Sequence, residues 1–228
     1  MISVAIDGPS GSGKSTISRH LAKKINFLNI DTGALYRAVA YFLFINKIDY
    51  KNESEVAKIL SKIRIDLEHE NYIQRILLNG EDITNKIRSN TISTISSHIS
   101  AMSSVRNYLL DFQRNLARNN NVIMDGRDIG TVILPNADVK IFLTASPAVR
   151  AKRRYNQFTR KRENVSYKKI SDALNKRDFN DSNRETAPLR PAPDAIIFDN
   201  SKYTLIKSVN MLLKIIKERI SIERTETK

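Results

Sequence analysis

Residues 8–15, Gly-Pro-Ser-Gly-Ser-Gly-Lys-Ser, match the pattern G-x-x-x-x-G-K-[ST] at every position. The flanks decide what such a match means. Before it lies a short continuous apolar run, Ile2–Ile6, the pattern of a strand buried on both faces. After it, Ile17, Leu21 and Ile25 recur every fourth residue and form one apolar stripe on a helix. A linker would not be held between two core elements. Strand, glycine-rich turn and helix together make a cradle in which backbone N–H groups ring a phosphate and the helix dipole favours the anion. Gly8, Gly11, Ser12, Gly13, Lys14, Ser15 and Thr16 are its expected phosphate-binding residues. Lys14 would reach the β- and γ-phosphates of a nucleoside triphosphate, and the Ser15 hydroxyl would take Mg²⁺ directly.

The same strand form returns four times, at 27–30, 121–125, 139–143 and 195–199, with helical patterns between most of the runs. Strands of this kind alternating with helices predict an open parallel α/β sheet, with ligands at the carboxyl ends of its strands. Two regions break the rhythm. Residues 64–82 alternate polar and apolar side chains around a polar turn and read as a small antiparallel hairpin. Residues 150–166 are nearly all polar and rich in Arg and Lys, the composition of a mobile helical arm, with Ser146 as N-cap and Pro147 as its first residue. In 89–104 the serine-rich composition conceals a helical stripe, Ile92, Ile95, Ile99 and Met102, continued by Val105, Leu109, Phe112 and Leu116. The last apolar stripe, Leu205, Val209, Leu212 and Ile216, fades into a polar tail after Ile220.

Among 228 residues there is no cysteine, so disulfides and thiolate metal sites are excluded, and a reducing cytoplasm is the expected compartment. The longest apolar run, Ala38–Ile45, is far too short to span a bilayer, and the N-terminus enters a strand without a leader-like segment. The net charge of +14 favours polyanions. A nucleic-acid-binding ATPase would use such a charge. The arginines, however, fall at strand ends and in one arm, with no interleaved stacking aromatics.

The cradle names a phosphoryl donor and leaves the acceptor open. Residues 46–49, Asn-Lys-Ile-Asp, match the guanine-reading N-K-x-D pattern, but they follow a helical run rather than a strand and read as a turn. Three further turns carry charge at strand or helix ends. Asp31-Thr32-Gly33 opens a helix bearing Arg37; Asp125-Gly126-Arg127-Asp128 follows a buried strand; Arg177, Asp181 and Arg184 recur on one helical face.

These stretches carry a resemblance. In order, IDGPSGSGKST, IDTGALYRA, MDGRDIGTVILP, KIFLTAS, RRYNQ and RDFNDSNRETAPLRPAPDA resemble the motifs of bacterial cytidylate kinases over nearly the whole chain. The resemblance implies transfer of the ATP γ-phosphate to CMP or dCMP with Mg²⁺. A broader UMP/CMP kinase is the alternative within that class. It implies a P-loop three-layer α/β fold: a five-stranded parallel sheet, a small antiparallel β insert and an arginine-rich helical lid. The core would comprise 1–32, 106–149 and 166–228, the monophosphate-binding insert about 33–105, and the lid about 150–165. Ser97, Arg106 and Asp128 are similar to cytosine readers; Arg37, Arg127 and Arg184, with Thr32 beside them, to the contacts of the CMP phosphate; Arg177 and Asp181 to the contacts of the sugar. Lys14, Arg127, Asp128 and the lid residues Arg150, Arg153 and Arg154 are the expected catalytic set, with Arg160 and Arg162 further along the lid. Asp31 would orient Mg²⁺ through water. A monomer acting on ATP and CMP, without nucleic acid or membrane, completes the expectation.

One geometric consequence is open to direct inspection. Ser97 and Arg106 lie nine positions apart, about 900° of turn at ~100° per residue, which puts them on opposite sides of one straight helix. If both touch one base, the helix breaks between them, and Ser103-Ser104 can cap the new start.

Overall fold

The computed structural model describes residues 1–70, 73–160 and 165–226. Its main sheet is fully parallel, in the order β2-β6-β1-β7-β8. The strands are β1 (Ser3–Asp7), β2 (Leu28–Asp31), β6 (Val122–Asp125), β7 (Val139–Thr144) and β8 (Ile196–Asp199). They are the five apolar runs of the sequence. β1 sits at the centre, so the glycine turn leaves the middle of the sheet.

Period-two alternation decides which side chains face which layer. Val4 and Ile6 of β1, Ile123 of β6 and Ile141 of β7 pack with Ile17 and Leu21 of α1 (Lys14–Ile25) and with Val209, Leu212 and Ile216 of α8 (Leu205–Glu226). Ala5 of β1 and Val122 and Met124 of β6 face the other way, against Ala117 of α5 (Ser103–Asn119) and Ile129 and Ile133 of a π-helical turn, Ile129–Ile133. Three layers result, with the glycine turn at their common edge.

Between β2 and α5 lies a second apolar cluster. It is built on α2 (Thr32–Ile45), α3 (Glu53–Ile59), α4 (Asn90–Ile99) and the antiparallel sheet β3 (Ile65–Glu70), β4 (Ile73–Leu78) and β5 (Glu81–Asp82). The expected hairpin is therefore a three-stranded sheet. Its third strand is only Glu81–Asp82, too short and too charged to signal itself, and it follows directly on the Asn79–Gly80 turn, where both residues have positive φ. The turn between β3 and β4 lies outside the described residues. Residues 46–49 leave α2 as a turn, with Lys47 in the left-handed region, so nothing there resembles a guanine-reading loop.

The helix does break between Ser97 and Arg106: α4 stops at Ile99 and α5 starts at Ser103. The cap differs from the expectation. Met102 occupies the N-cap and makes no side-chain hydrogen bond. Instead the Glu53 carboxylate, from the start of α3, accepts from the Ser104 backbone N–H at 3.3 Å and from its hydroxyl at 3.0 Å. A carboxylate brought from another helix satisfies the open N–H and complements the dipole, so no local cap is needed.

The arm is α6 (Pro147–Arg160), packed on α7 (Tyr167–Asn183). Ser146 caps α6 as expected, its hydroxyl accepting from the Val149 N–H at 3.4 Å.

Ile99 is fully buried where α4 ends. Ile99→Ala should lower unfolding free energy by about 2–5 kcal/mol, and Glu53→Gln by clearly less, both measured by urea titration. Equal losses would remove the distinction drawn here between core and cap.

Candidate active site

Gly13 is the N-cap of α1 at φ 97°, a conformation that leaves the first helical N–H groups free of any side chain. A Cβ at Gly11 would stand 3.2 Å from both Cβ and the carbonyl oxygen of Arg150. The turn and the root of α6 are thus in backbone contact. Lys14 folds back over the turn, donating to the carbonyls of Gly8 at 2.6 Å and Pro9 at 2.8 Å. Burial, and then the Arg127 charge, hold its ammonium well below the usual lysine range. A phosphate beside it would act in the opposite sense, favouring the charged ammonium.

The Ser15 hydroxyl donates to Asp125 Oδ2 at 2.7 Å. Asp125 ends β6 beside Asp31 at the end of β2. Its carboxyl is buried, its Oδ1 has no partner, and its pKa is raised to about 7 by burial and then by the Asp31 charge. Asp31 is otherwise engaged. It caps α2 through the Ala34 N–H at 3.2 Å and accepts from Arg37 at 2.9 Å. Asp125, which the sequence reading left without a role, is therefore the carboxylate that meets Ser15. The described residues hold no group of three His, Cys, Asp or Glu suited to a metal. One hydroxyl and one carboxylate oxygen suit Mg²⁺, which keeps waters and draws further ligands from phosphates.

Behind this pair, Asp7 of β1 accepts from the N–H groups of Ile129 and Gly130, each at 2.8 Å. It fixes the π-helical turn and so the backbone of Arg127-Asp128. Burial raises its pKa to about 6. Thr32 is placed by the same strand end. It is buried, and its hydroxyl donates to the Asp125 carbonyl at 2.9 Å.

Next comes a crowd of arginines. Arg127 donates to Asp181 at 2.8 Å and to the Ser10 hydroxyl at 2.8 Å. Arg177 stands 3.9 Å from the same Asp181. The Nε–H groups of Arg37 and Arg177 are buried with no hydrogen-bond partner. Burial, and next the charge of Arg127, hold Arg177 down to about 10. Burial alone would raise Asp181, but Arg127 and Arg177 hold it below the ordinary carboxylate range. Buried unpaired donors on crowded cations suit an anionic ligand.

Beyond them Asp128, buried, pairs with Arg106 and, at 3.3 Å, with Arg184. Arg106 also donates to the Ser100 carbonyl at 3.0 Å, in the break between α4 and α5. The ring of Tyr36 lies 5.9 Å from its guanidinium carbon, and burial pushes the phenol up to about 12. Arg106 and Asp128 thus meet as the sequence reading required. Arg184 joins them at this end rather than joining Arg37 and Arg127. Ser97 is half-buried on α4 and is not among the hydrogen-bond partners of Arg106 or Asp128.

The lid arginines divide. Arg150 is buried, donating to the carbonyls of Ala145 and Ser10, each at 3.0 Å, and to Asp178. Arg153 donates to the Ser12 carbonyl at 3.1 Å and to Asn200 at 2.9 Å. Both hold the carbonyl side of the turn in this structure. Arg154 is half-buried over the Phe158 ring and bonds Gln157 at 3.1 Å. Arg160 is exposed, and Arg162 lies outside the described residues. Asp178 and Asn200 join the turn without having been singled out. Asp178 sits inside the Arg177–Arg184 cluster, and Asn200 directly follows the carboxyl end of the edge strand β8, the position where ligand-side residues gather.

A family model described as Cytidylate kinase matches residues 4–218. Curated relatives bear the same name. That of Fusobacterium nucleatum is 43% identical over 213 residues, covering 93% of this chain and 96% of its own. That of Carboxydothermus hydrogenoformans is 44% identical with the same coverage, and that of Clostridium tetani is 42% identical over 97% of this chain and 96% of its own. Among solved structures, an uncharacterised protein from Eubacterium ventriosum superposes with a TM-score of 0.52 at 14% identity, covering 95% of this chain and 99% of that one, which shows a shared fold.

A carboxyl raised by burial binds its proton more tightly when folded. Its contribution to stability is full at low pH and is lost as pH rises from the ordinary carboxylate range through about 7. Asp125→Asn removes that loss. In EDTA its Tm should exceed that of the unsubstituted protein near pH ~8, and the gap should close toward pH ~5, by scanning calorimetry. A gap that widens on acidification would contradict the burial argument.

Proposed function

The chain belongs to the cytidylate kinase family, and we propose that it transfers the γ-phosphoryl group of ATP to CMP or dCMP, giving CDP or dCDP. The observation that carries this reading is the pair of unpartnered Nε–H groups on Arg37 and Arg177. They lie in the arginine cluster that Arg127 joins to the glycine turn through Ser10. A second phosphate is the group they lack.

In this reading the N–H groups of Gly11–Thr16 bind the ATP phosphates, and Lys14 exchanges its carbonyl partners for phosphate oxygens. Ser15 and Asp125 would hold Mg²⁺, with Asp31 behind them through water, and the ion would supply positive charge to offset that of the phosphates. Arg37, Arg127 and Arg177 hold the monophosphate in line with the γ-phosphate. The acceptor is already an anion, so position and positive field supply the catalysis and no strong general base is required. Asp128 accepts from the cytosine N4 amino group, and Arg106 donates to O2 and N3. Uracil inverts the pattern at N3 and O4, which leaves Asp128 facing an acceptor. Arg184, freed from Asp128 when the base arrives, turns to the phosphate. Asp181 and Arg177 flank the sugar, and Ser97 completes the base site from α4. Lid residues from about 150 to 165, Arg154 above all, close over the donor and exclude water. The insert, about 33–105, supplies the base-binding wall. We take the enzyme to act as a monomer in the cytoplasm, independent of nucleic acid. No helix among the described residues is long and apolar enough to cross a membrane.

The test is ADP release with ATP, Mg²⁺ and a panel of CMP, dCMP, UMP, AMP and GMP, with and without RNA. Turnover should be fastest with CMP and dCMP and unchanged by RNA. Turnover confined to AMP, or none with any monophosphate, rejects the proposal. Lys14→Ala should lower kcat by about two to three orders of magnitude. Asp128→Ala should lower the preference for CMP over UMP by about tenfold or more, with little effect on ATP affinity.

A further inference from the structure

The cradle has a back as well as a front, and the back is held by side chains far away in sequence. The Ser10 N–H is turned to Asp178 of α7, whose Oδ1 accepts it at 3.0 Å. The other oxygen of Asp178 takes the Arg150 guanidinium, and Arg150 returns to the same residue of the turn through the Ser10 carbonyl. Ser10 is therefore gripped at its N–H and its carbonyl by one ion pair, whose side chains are only 17% and 8% exposed. Its hydroxyl is the third point of contact and accepts from Arg127 at 2.8 Å. Arg127 in turn rests on Asp181, one helical turn beyond Asp178 on α7. Two carboxylates of one helix thus serve the two halves of the site, and both lines of contact meet at Ser10.

We propose that Asp178 is a positioning residue for the donor half of the site, and that the Ser10 hydroxyl is the joint through which the acceptor arginine bears on the donor loop. The first part rests on geometry alone; the second rests on the kinase reading above. Asp178 touches no substrate atom. It fixes the first half of the turn from behind, so that the N–H groups after Ser10 stay converged while the front of the cradle is open. A charge-assisted contact in a mostly buried position is strong enough to set that geometry. The two parts separate chemically. Replacing Asp178 removes the brace on the backbone, whereas Ser10→Ala keeps the N–H and the carbonyl and removes only the joint with Arg127.

The experiment compares Asp178→Asn, Ser10→Ala and the exposed same-helix control Asp172→Asn. ATP binding is measured by calorimetry without acceptor, followed by KM for ATP, KM for CMP and Tm. Asp178→Asn should weaken ATP binding by about tenfold and raise the KM for ATP correspondingly, with the KM for CMP held within about twofold. Ser10→Ala should show the opposite split, with ATP binding within about twofold of the unsubstituted protein and the KM for CMP raised. Asp172→Asn should match the unsubstituted protein throughout. If Asp178→Asn fails to fold, Asp178→Glu, which keeps the charge but displaces it, should show the same split. Unchanged ATP binding in either Asp178 variant, or a proportional loss in both KM values tracking a lowered Tm, overturns the positioning role. An unchanged KM for CMP in Ser10→Ala overturns the joint. The ATP-binding arm uses no acceptor, so absence of CMP turnover in the unsubstituted protein would reject the kinase reading and leave the role of Asp178 to be decided by calorimetry.

Discussion

The backbone between β1 and α1 belongs to no regular element, and its carbonyls must find partners while N–H groups other than that of Ser10, which Asp178 takes, face the cradle. The rest of the site is arranged around that constraint. Lys14 takes the carbonyls of Gly8 and Pro9, Arg150 takes that of Ser10, and Arg153 and Asn200 share that of Ser12. A buried carbonyl without a donor would cost on the order of 1–3 kcal/mol, so the loop keeps its shape only while these side chains stay in place. They come from the helix that follows the loop, from the arm, and from the residue after the last strand. An irregular segment in the middle of a parallel sheet therefore draws the far end of the chain into its own support.

Much of the scaffold is legible in the sequence, for reasons that are local. Four of the five main strands are short apolar runs that are largely buried, the edge strand β8 reads alike although Ile197 is exposed, and the glycine turn announces itself because few residues tolerate its backbone. The break between α4 and α5 follows from helix geometry once Ser97 and Arg106 are both given to one base. What fails to show is what depends on a distant partner. The cap on α5 comes from Glu53, so Ser103 and Ser104 mislead. Asp125 and Asp31 end adjacent strands and look equivalent in sequence. Only the fold gives Arg37 to Asp31 and Ser15 to Asp125. Arg150 and Arg153 read as part of a polar arm because their partners, the turn carbonyls together with Asp178 and Asn200, lie far away in sequence.

Charge is distributed so that the site is unfinished in a definite way. Burial pushes Asp7 and Asp125 up at the strand ends, while burial and then the Arg127 charge push Lys14 and Arg177 down. Each set costs free energy that a bound partner of opposite sign would recover. In the proposed function, an ion between Ser15 and Asp125 and a phosphate among Arg37, Arg127 and Arg177 would answer those two needs. The net charge of +14 finds a use here, in a few convergent side chains rather than across a broad face.

Asp128 meets its two arginines in the free protein, where neither of its oxygens waits for a ligand. A base that enters must displace a contact already made, so recognition at this end is an exchange of partners within a closed pocket. No ion is taken from solvent in that exchange, and Asp128 and Arg106 are too buried for the ionic atmosphere to reach them. The phosphate end, in the proposed function, would gather a charge from solution. Added salt should therefore weaken the grip on the phosphate while leaving the choice of base almost untouched. On the proposed function, affinity and selectivity for one small ligand would be governed at opposite ends of it, by interactions that respond to different properties of the medium.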